Sequence, residues 1–286
     1  MKSITVLMLI SALTVSTVAA HEGPRIWIGN VGGTITTFKS DNDLDPTVYT
    51  PSRLFTTEFE EIFGIFTTDF PGYEVRQTGG NVTGNTTFGF NIVGPALYFD
   101  DATDTFIAVQ AMFGPPEPGP VPQLAITEGA NRRDTAGGTV SGFNFFTFNS
   151  IGDHSHLSCT LLGDGVNPVD GPTGVYAIPL NLTSNALATS ETYYLLIGKE
   201  VEVNDPLYQS AITVAQVTLV PEVVPGDMDC NGALNELDVA PFLLAVISPT
   251  EYAAAYPECD VLIGDMNDDG VVSGLDISLF ISDMVN

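Results

Sequence analysis

Two twelve-residue stretches near the C-terminus carry oxygen-bearing side chains at matching places. Asp227 to Asp238 reads D-M-D-C-N-G-A-L-N-E-L-D, and Asp265 to Asp276 reads D-M-N-D-D-G-V-V-S-G-L-D. Positions 1, 3, 5, 9 and 12 are Asp227, Asp229, Asn231, Asn235 and Asp238 in the first stretch. In the second they are Asp265, Asn267, Asp269, Ser273 and Asp276. Gly232 and Gly270 stand at position 6, where a loop wound around an ion must turn sharply. Carboxylate and amide oxygens at this spacing are ligands for calcium, with the position-7 carbonyl of Ala233 or Val271 adding another donor. The expectation is two Ca2+ ions, one per loop.

A second set of candidate ligands is nitrogen-based. The chain has three histidines, His21, His154 and His156, and Asp153 precedes the H-S-H run. In an extended segment residues two apart share a face, so His154 and His156 can address one ion. If His21 becomes the first residue after processing, its imidazole and α-amine add donors of the kind that suit copper or zinc. This arrangement resembles the histidine brace of lytic polysaccharide monooxygenases and the site of periplasmic copper carriers, which implies Cu or Zn. The alternative is three surface histidines at a strand end and a chain terminus. For hydrolysis of a polysaccharide, two carboxylates must face each other across a cleft. Glu58, Glu60, Glu61, Asp100 and Asp101 neighbour aromatic residues, but the sequence singles out no pair. It contains neither a Gly-x-Ser-x-Gly elbow nor a phosphate-binding glycine loop.

Composition narrows the partners. Among 286 residues, 35 Asp and Glu oppose 8 Lys and Arg, for a formal charge of -27. Such a field argues against nucleic acid and anionic membranes and favours divalent cations. From Gly226 to Asn286 there is no Lys or Arg at all. Charged residues are only 15% and hydrophobic residues 44%, which argues against disorder, while 28 Gly and 19 Pro between short apolar runs read as many turns.

These residues need elements to position them. Residues 1–20 read as an export signal: Lys2, an apolar run from Val6 to Leu13, then Val18-Ala19-Ala20. The mature chain is expected to start at His21, secreted to the exterior or the cell surface, with no membrane span left. Residues 21–220 read as a β-sandwich or jelly roll. Gly32-Gly33 makes a hairpin between Arg25–Val31 and Thr34–Phe38. Further strands are expected up to Ile212–Leu219, with one short helix at Thr57–Gly64. Pro179 suggests an edge strand or bulge, and the proline-rich 114–122 stretch suggests a stiff exposed connection. Residues 221–225 are a Pro-containing linker. Beyond it, the two loops lead into matching apolar patterns 38 residues apart: Leu237, Val239, Phe242, Leu243 and Val246, then Leu275, Ile277, Phe280, Ile281 and Met284. Packing the two helices together is expected to bury both stripes. Cys230 and Cys259 are expected to pair, leaving Cys159 as a buried thiol in a strand.

Residues 226–286, G-D-M-D-C-N-G…L-D-V and G-D-M-N-D-D-G…L-D-I, closely resemble a type I dockerin. They are also similar to the dockerin-like tails of secreted bacterial proteins. The resemblance implies a small α-helical module of paired F-hands that binds calcium and, in cellulosomes, a cohesin partner. Dockerins usually carry polar residues at loop positions 10 and 11 and a basic residue in the following helix. Here Glu236-Leu237 and Gly274-Leu275 occupy those positions and no Lys or Arg follows, so the resemblance bears on calcium more than on cohesin. With no catalytic constellation evident, the leading expectation is a binding or structural β domain attached to a partner or surface by this module. The alternatives are a polysaccharide-acting enzyme, hydrolytic or oxidative, and a copper- or zinc-binding protein.

Overall fold

The computed structural model describes residues 24–42, 45–69, 71–76, 80–109, 124–135, 137–162, 171–220, 224–257, 259–267 and 269–285. The expected export signal, His21, the proline-rich 114–122 stretch and residues 221–223 of the expected linker lie outside them. No helix of the described residues is long and apolar enough to cross a membrane.

Residues 24–220 are mainly β, in three sheets, none of which closes into a barrel among the described residues. Sheet A runs β14 (His154–His156), β7 (Gly72–Val75), β1 (Arg25–Val31), β2 (Thr34–Ser40), β3 (Tyr49–Pro51). Its β1–β2 hairpin turns at Gly32-Gly33, both at positive φ, as the glycine pair predicts. Sheet B runs β10 (Thr105–Ala108), β9 (Leu97–Asp100), β16 (Gly174–Ser184), β17 (Tyr193–Lys199), β4 (Leu54–Glu58), and β8 (Thr86–Ile92) joins β16 to β13 (Val140–Phe148). Sheet C runs β12 (Asn131–Asp134), β11 (Leu124–Glu128), β15 (Ser158–Leu161), β6 (Ile65–Thr68), β5 (Glu60–Ile62).

Sheet B is buried on both faces, and this organises the rest. On one face Tyr176, Ile178, Leu180, Tyr193, Leu195 and Ile197 join Ile26, Ile28 and Val75 of sheet A and Leu124, Ile126 and Leu161 of sheet C in one core. On the other face Val175, Ala177, Leu196 and Leu54 meet Tyr208, Ala211 and Ala215 of the helix α1 (Pro206–Thr218). Two-sided burial is why Val175 to Leu180 and Tyr193 to Ile197 are apolar at nearly every position.

Three local expectations are corrected. Residues 212–219 lie in α1, not in a strand: Asp205-Pro206 starts a helix, and the buried Tyr208, Ala211 and Ala215 follow a helical spacing that the neighbouring Thr-Val-Ala-Gln alternation masks. Thr57–Gly64 is not a helix. Leu54–Glu58 pairs with β17, and Glu60–Ile62 turns back on β6 through Phe63-Gly64, both at positive φ. That two-residue turn uses a glycine which the helical reading passed over. Pro179 sits inside β16, opposite Tyr194 of β17, rather than at a sheet edge. Along the other side of β16 the partner changes from β9, ending at Ala177, to β8, starting at Leu180, so the missing N–H falls in the gap.

The outer face of sheet A carries a ladder of cations and aromatics. Arg76 lies over Phe38 and Tyr49, with its carbon 4.3 and 4.8 Å from the two ring centres. Tyr49 meets Trp27 edge-on at 5.3 Å, and Arg25 lies over Trp27 while pairing with the buried Glu74. Trp27, fully buried, donates its indole N–H to Ser40.

The C-terminal region is helical: α2 (Val239–Ile247), α3 (Pro249–Ala255), α4 (Ile277–Met284) and two single 3-10 turns. Cys230 and Cys259 form a disulfide, and Cys159 is a free thiol in β15 whose burial pushes its pKa up.

Tyr208 ties α1 to sheet B: its hydroxyl lies 2.8 Å from both the Thr57 and Leu196 carbonyls and accepts from the Thr57 N–H. Tyr208→Phe is expected to cost about 1–3 kcal/mol by leaving these groups unpaired, and an unchanged urea midpoint would contradict that role. The disulfide spans 29 residues. Cys230→Ser is therefore expected to lower the stability of the helical region by about 3–4 kcal/mol on loop entropy, measured by helical signal against temperature.

Candidate metal centre

Each loop is wound by its own acids. In the first, the Asp227 carboxylate accepts from the backbone N–H of Asn231 at 3.1 Å and Gly232 at 2.8 Å. The Asp238 carboxylate accepts from Asp229 at 3.0 Å and Asn235 at 2.8 Å. The second loop repeats this 38 residues on. Asp265 accepts from Asp269 at 3.1 Å and Gly270 at 2.7 Å, and Asp276 from Asn267 at 3.1 Å and Ser273 at 2.8 Å. Positions 1 and 12 thus hold the two ends of each loop around a common centre. Gly232 and Gly270 take positive φ at the turn.

The packing behind the loops keeps the same repeat. Phe242 and Phe280 stack at 4.2 Å between ring centres. Met228 and Met266, Leu234 and Val272, and Val246 and Met284 join them as further equivalent pairs in one cluster. Gly226 and Gly264, also equivalent, lie so close to this cluster that a Cβ would sit about 3.0 Å from Leu234 and Met228 respectively. The expected burial of both apolar stripes is corrected here. Leu237, Val239, Leu243, Leu275, Ile277 and Ile281 stay exposed, because the stacked phenylalanines consume the one face that each short helix can turn inward. Tyr252 of α3 is a structural residue that the repeat did not reveal. It is fully buried and donates to the Met228 carbonyl at 2.9 Å, bracing the first loop from outside the duplication.

The electrostatics are lopsided. Asp238 and Asp276 are 0% exposed and Asp227 5%, yet residues 226–286 contain no Lys or Arg. Among the described residues, ligand atoms of Asp227, Asp229 and Asp238 lie within 4.8 Å of one another. Burial, and then the neighbouring Asp238 and Asp229 charges, hold the Asp227 carboxyl above the ordinary range against the pull of its two N–H donors. Backbone N–H groups satisfy part of each carboxylate and leave lone pairs facing inward. An all-oxygen donor set with buried negative charge and no internal cation fits a hard divalent ion such as calcium. In the second loop Asn267 and Asp269 exchange the types found at Asp229 and Asn231, so both donor sets contain three carboxylates.

The histidine pair is arranged differently. His154 and His156 sit on β14, two residues apart on one face, with ring centres 5.5 Å apart and nearly perpendicular. The His156 Nδ1 is 2.8 Å from the Asp69 carbonyl, and its ring packs against the space a Gly72 side chain would fill. Asp153 points elsewhere: its carboxylate accepts from the N–H groups of Asn149 and Ser150, both at 2.9 Å, and those bonds hold its pKa down. Asp153 therefore closes the 149–153 turn instead of joining the histidines. Among the described residues no cluster of three metal-ligating groups forms around His154 and His156. Of the acids considered for hydrolysis, Glu60 and Glu61 lie on the edge strand β5 of sheet C, and Asp100 and Asp101 lie at the β9–β10 turn of sheet B. Glu58 accepts from the Val203 N–H at 2.7 Å, a tether between β4 and the start of α1.

No protein-family model matches the chain, and no curated protein matches it, so the dockerin resemblance stands on the loop residues alone. Among solved structures, part of the chain is similar to a family 123 glycoside hydrolase from Clostridium perfringens, described in connection with glycolipid glycan hydrolysis. The match has 9% identity and a TM-score of 0.21, covers 51% of this chain and spans 22% of that one. A likeness at that level assigns neither fold nor activity.

Proposed function

We propose that residues 226–286 form a calcium-folded, dockerin-like module of paired F-hands that attaches an extracellular β domain to a protein partner or surface. The β domain is sandwich-like, with sheet B packed against sheets A and C. The observation that carries the reading is the repeated loop network, with acids buried at position 12 and no basic residue in the whole segment. Without a cation these acids repel one another, and a core of this size offers little to oppose them. With a cation, the same charge becomes the binding energy. Asp227, Asp229, Asn231, Ala233, Asn235 and Asp238 would hold one ion. Asp265, Asn267, Asp269, Val271, Ser273 and Asp276 would hold the other. Attachment is supported by the exposed apolar residues, which also recur 38 positions apart: Leu237 with Leu275, Val239 with Ile277, Leu243 with Ile281.

Calorimetric titration of the chelated protein should give two calcium ions per chain. Asp238→Asn and Asp276→Asn should each remove one of them. Chelation should lower the helical signal and the melting temperature of the module, and a melting curve indifferent to chelator would end the proposal. The acid response of the metal-free form has a definite sign. Because the folded Asp227 carboxyl has a raised pKa, the apo fold takes up a proton there. That contribution is present in acid and is lost as pH rises through the folded value. In chelator, the helical signal should therefore grow as pH falls toward the ordinary carboxylate range, while calcium affinity weakens over the same span.

A further inference from the structure

A groove of about 820 Å³ opens where the chain passes from sheet A to sheet B. Pro51 ends β3, the Ser52 N–H bonds to the Thr37 carbonyl of β2, and the Arg53 carbonyl accepts from Tyr194 of β17. Its size lies within the range of about 300–1,000 Å³ usual for small-molecule sites. Lys39 and Arg53 line it, and a smaller recess of about 230 Å³ touches the same Lys39 and Arg25. A chain with only 8 Lys and Arg against 35 acids thus places three of its cations at one corner.

Their partners differ. Arg25 is committed to buried Glu74. Arg53 pairs at 3.2 Å with Glu191, whose side chain is 73% exposed at the rim, an arrangement that costs little to open. Among the described residues no carboxylate lies within ion-pair distance of the Lys39 ammonium, which stands 5.8 Å from the Phe55 ring centre. Lys39 is exposed to the groove, and partial desolvation by its surroundings lowers its pKa. Directly opposite Lys39 in the β2–β3 ladder, the Thr50 hydroxyl has no protein hydrogen-bond partner among the described residues. Six of the fifteen lining residues carry hydroxyls, of which Thr37, Ser52 and Ser190 donate to protein carbonyls and Thr34, Thr36 and Thr50 remain for a ligand, and none is aromatic. That lining serves a ligand rich in hydroxyls better than one that stacks a flat ring.

We propose that this groove binds a carboxylate-bearing, polyhydroxylated ligand of the uronic-acid type. The acid sits on Lys39 and Arg53, and a ring hydroxyl reaches Thr50. Glu191 holds Arg53 in the empty groove and swings to solvent when the ligand carboxylate replaces it. Screening confines the repulsion of the acidic surface to about 8 Å at physiological salt, so a local pair of cations can act against it.

The site lies in the β domain and does not rest on the calcium reading. Titrations use the full chain in saturating calcium, with trigalacturonate, its uncharged methyl ester and inorganic sulfate as probes. Trigalacturonate should bind about tenfold or more tighter than the ester or sulfate, the scale of one charge-assisted contact. Lys39→Met should weaken it by about tenfold, and Glu191→Gln should tighten it about threefold by removing a carboxylate that competes with the ligand's. Glu60→Gln, the same charge change on the edge strand β5 outside the groove lining, should leave affinity unchanged and so separates loss of that competitor from a general loss of negative charge. Equal binding of acid and ester, sulfate as tight as the sugar acid, or no effect of Lys39→Met would each overturn the proposal. If Lys39→Met fails to fold, an unchanged affinity in Glu191→Gln overturns it instead.

Discussion

Shortage of positive charge is the constraint behind this molecule. A buried carboxylate must find hydrogen bonds and a counter-charge or lose its ionisation. In the β domain the problem is solved side chain by side chain: Glu74, 1% exposed, takes Arg25 from the adjacent strand. In the last 60 or so residues there is no basic side chain to take. Asp238 and Asp276 are buried there regardless, each with two backbone N–H donors that orient its oxygens without neutralising them. Three cations among the described residues have no acid within ion-pair distance: Arg76 lies over Phe38 and Tyr49, Arg133 donates to the Ser141 and Arg132 carbonyls, and Lys39 stands in the groove.

The equivalence of the two loops was legible in the sequence, because the residues that shape each loop are local to it. Residue type at positions 1, 5, 6 and 12 dictates which N–H meets which carboxylate, and the observed bonds recur at the spacing of the repeat. The disulfide between Cys230 and Cys259 followed from the same short-range reasoning. Packing was less legible. Leu243 and Phe242 are adjacent and equally apolar, yet one is exposed and the other stacks on Phe280, because successive helix residues point about 100° apart and one short helix buries only one face.

In the β domain, strands such as Arg25–Val31 were legible from their glycine turn. Residues 206–218 were not, because a helix that packs alanines against a sheet needs little amphipathic contrast, and its Thr-Val-Ala-Gln run happens to alternate. Phe63-Gly64 shows the opposite case, in which one glycine outweighs a run of glutamates that favours helix. Asp153 shows why adjacency in sequence is weak evidence for a shared site: its carboxylate is occupied by the turn that delivers His154 to the sheet. The groove at Lys39 and Arg53 left no trace in the sequence, since its walls come from β2, β3, β4, the approach to β17 and the end of α1.

The ladder on sheet A has a spectroscopic consequence. The only tryptophan, Trp27, is sealed between Tyr49 and Arg25, far along the chain from the acidic loops, while the C-terminal region carries only Tyr252 and Tyr256 as its phenolic reporters. Indole emission therefore reports on the β domain alone, whereas tyrosine absorbance mixes both parts, since seven of the nine tyrosines lie before residue 221. Fluorescence on its own isolates the unfolding of the β sheets without any label.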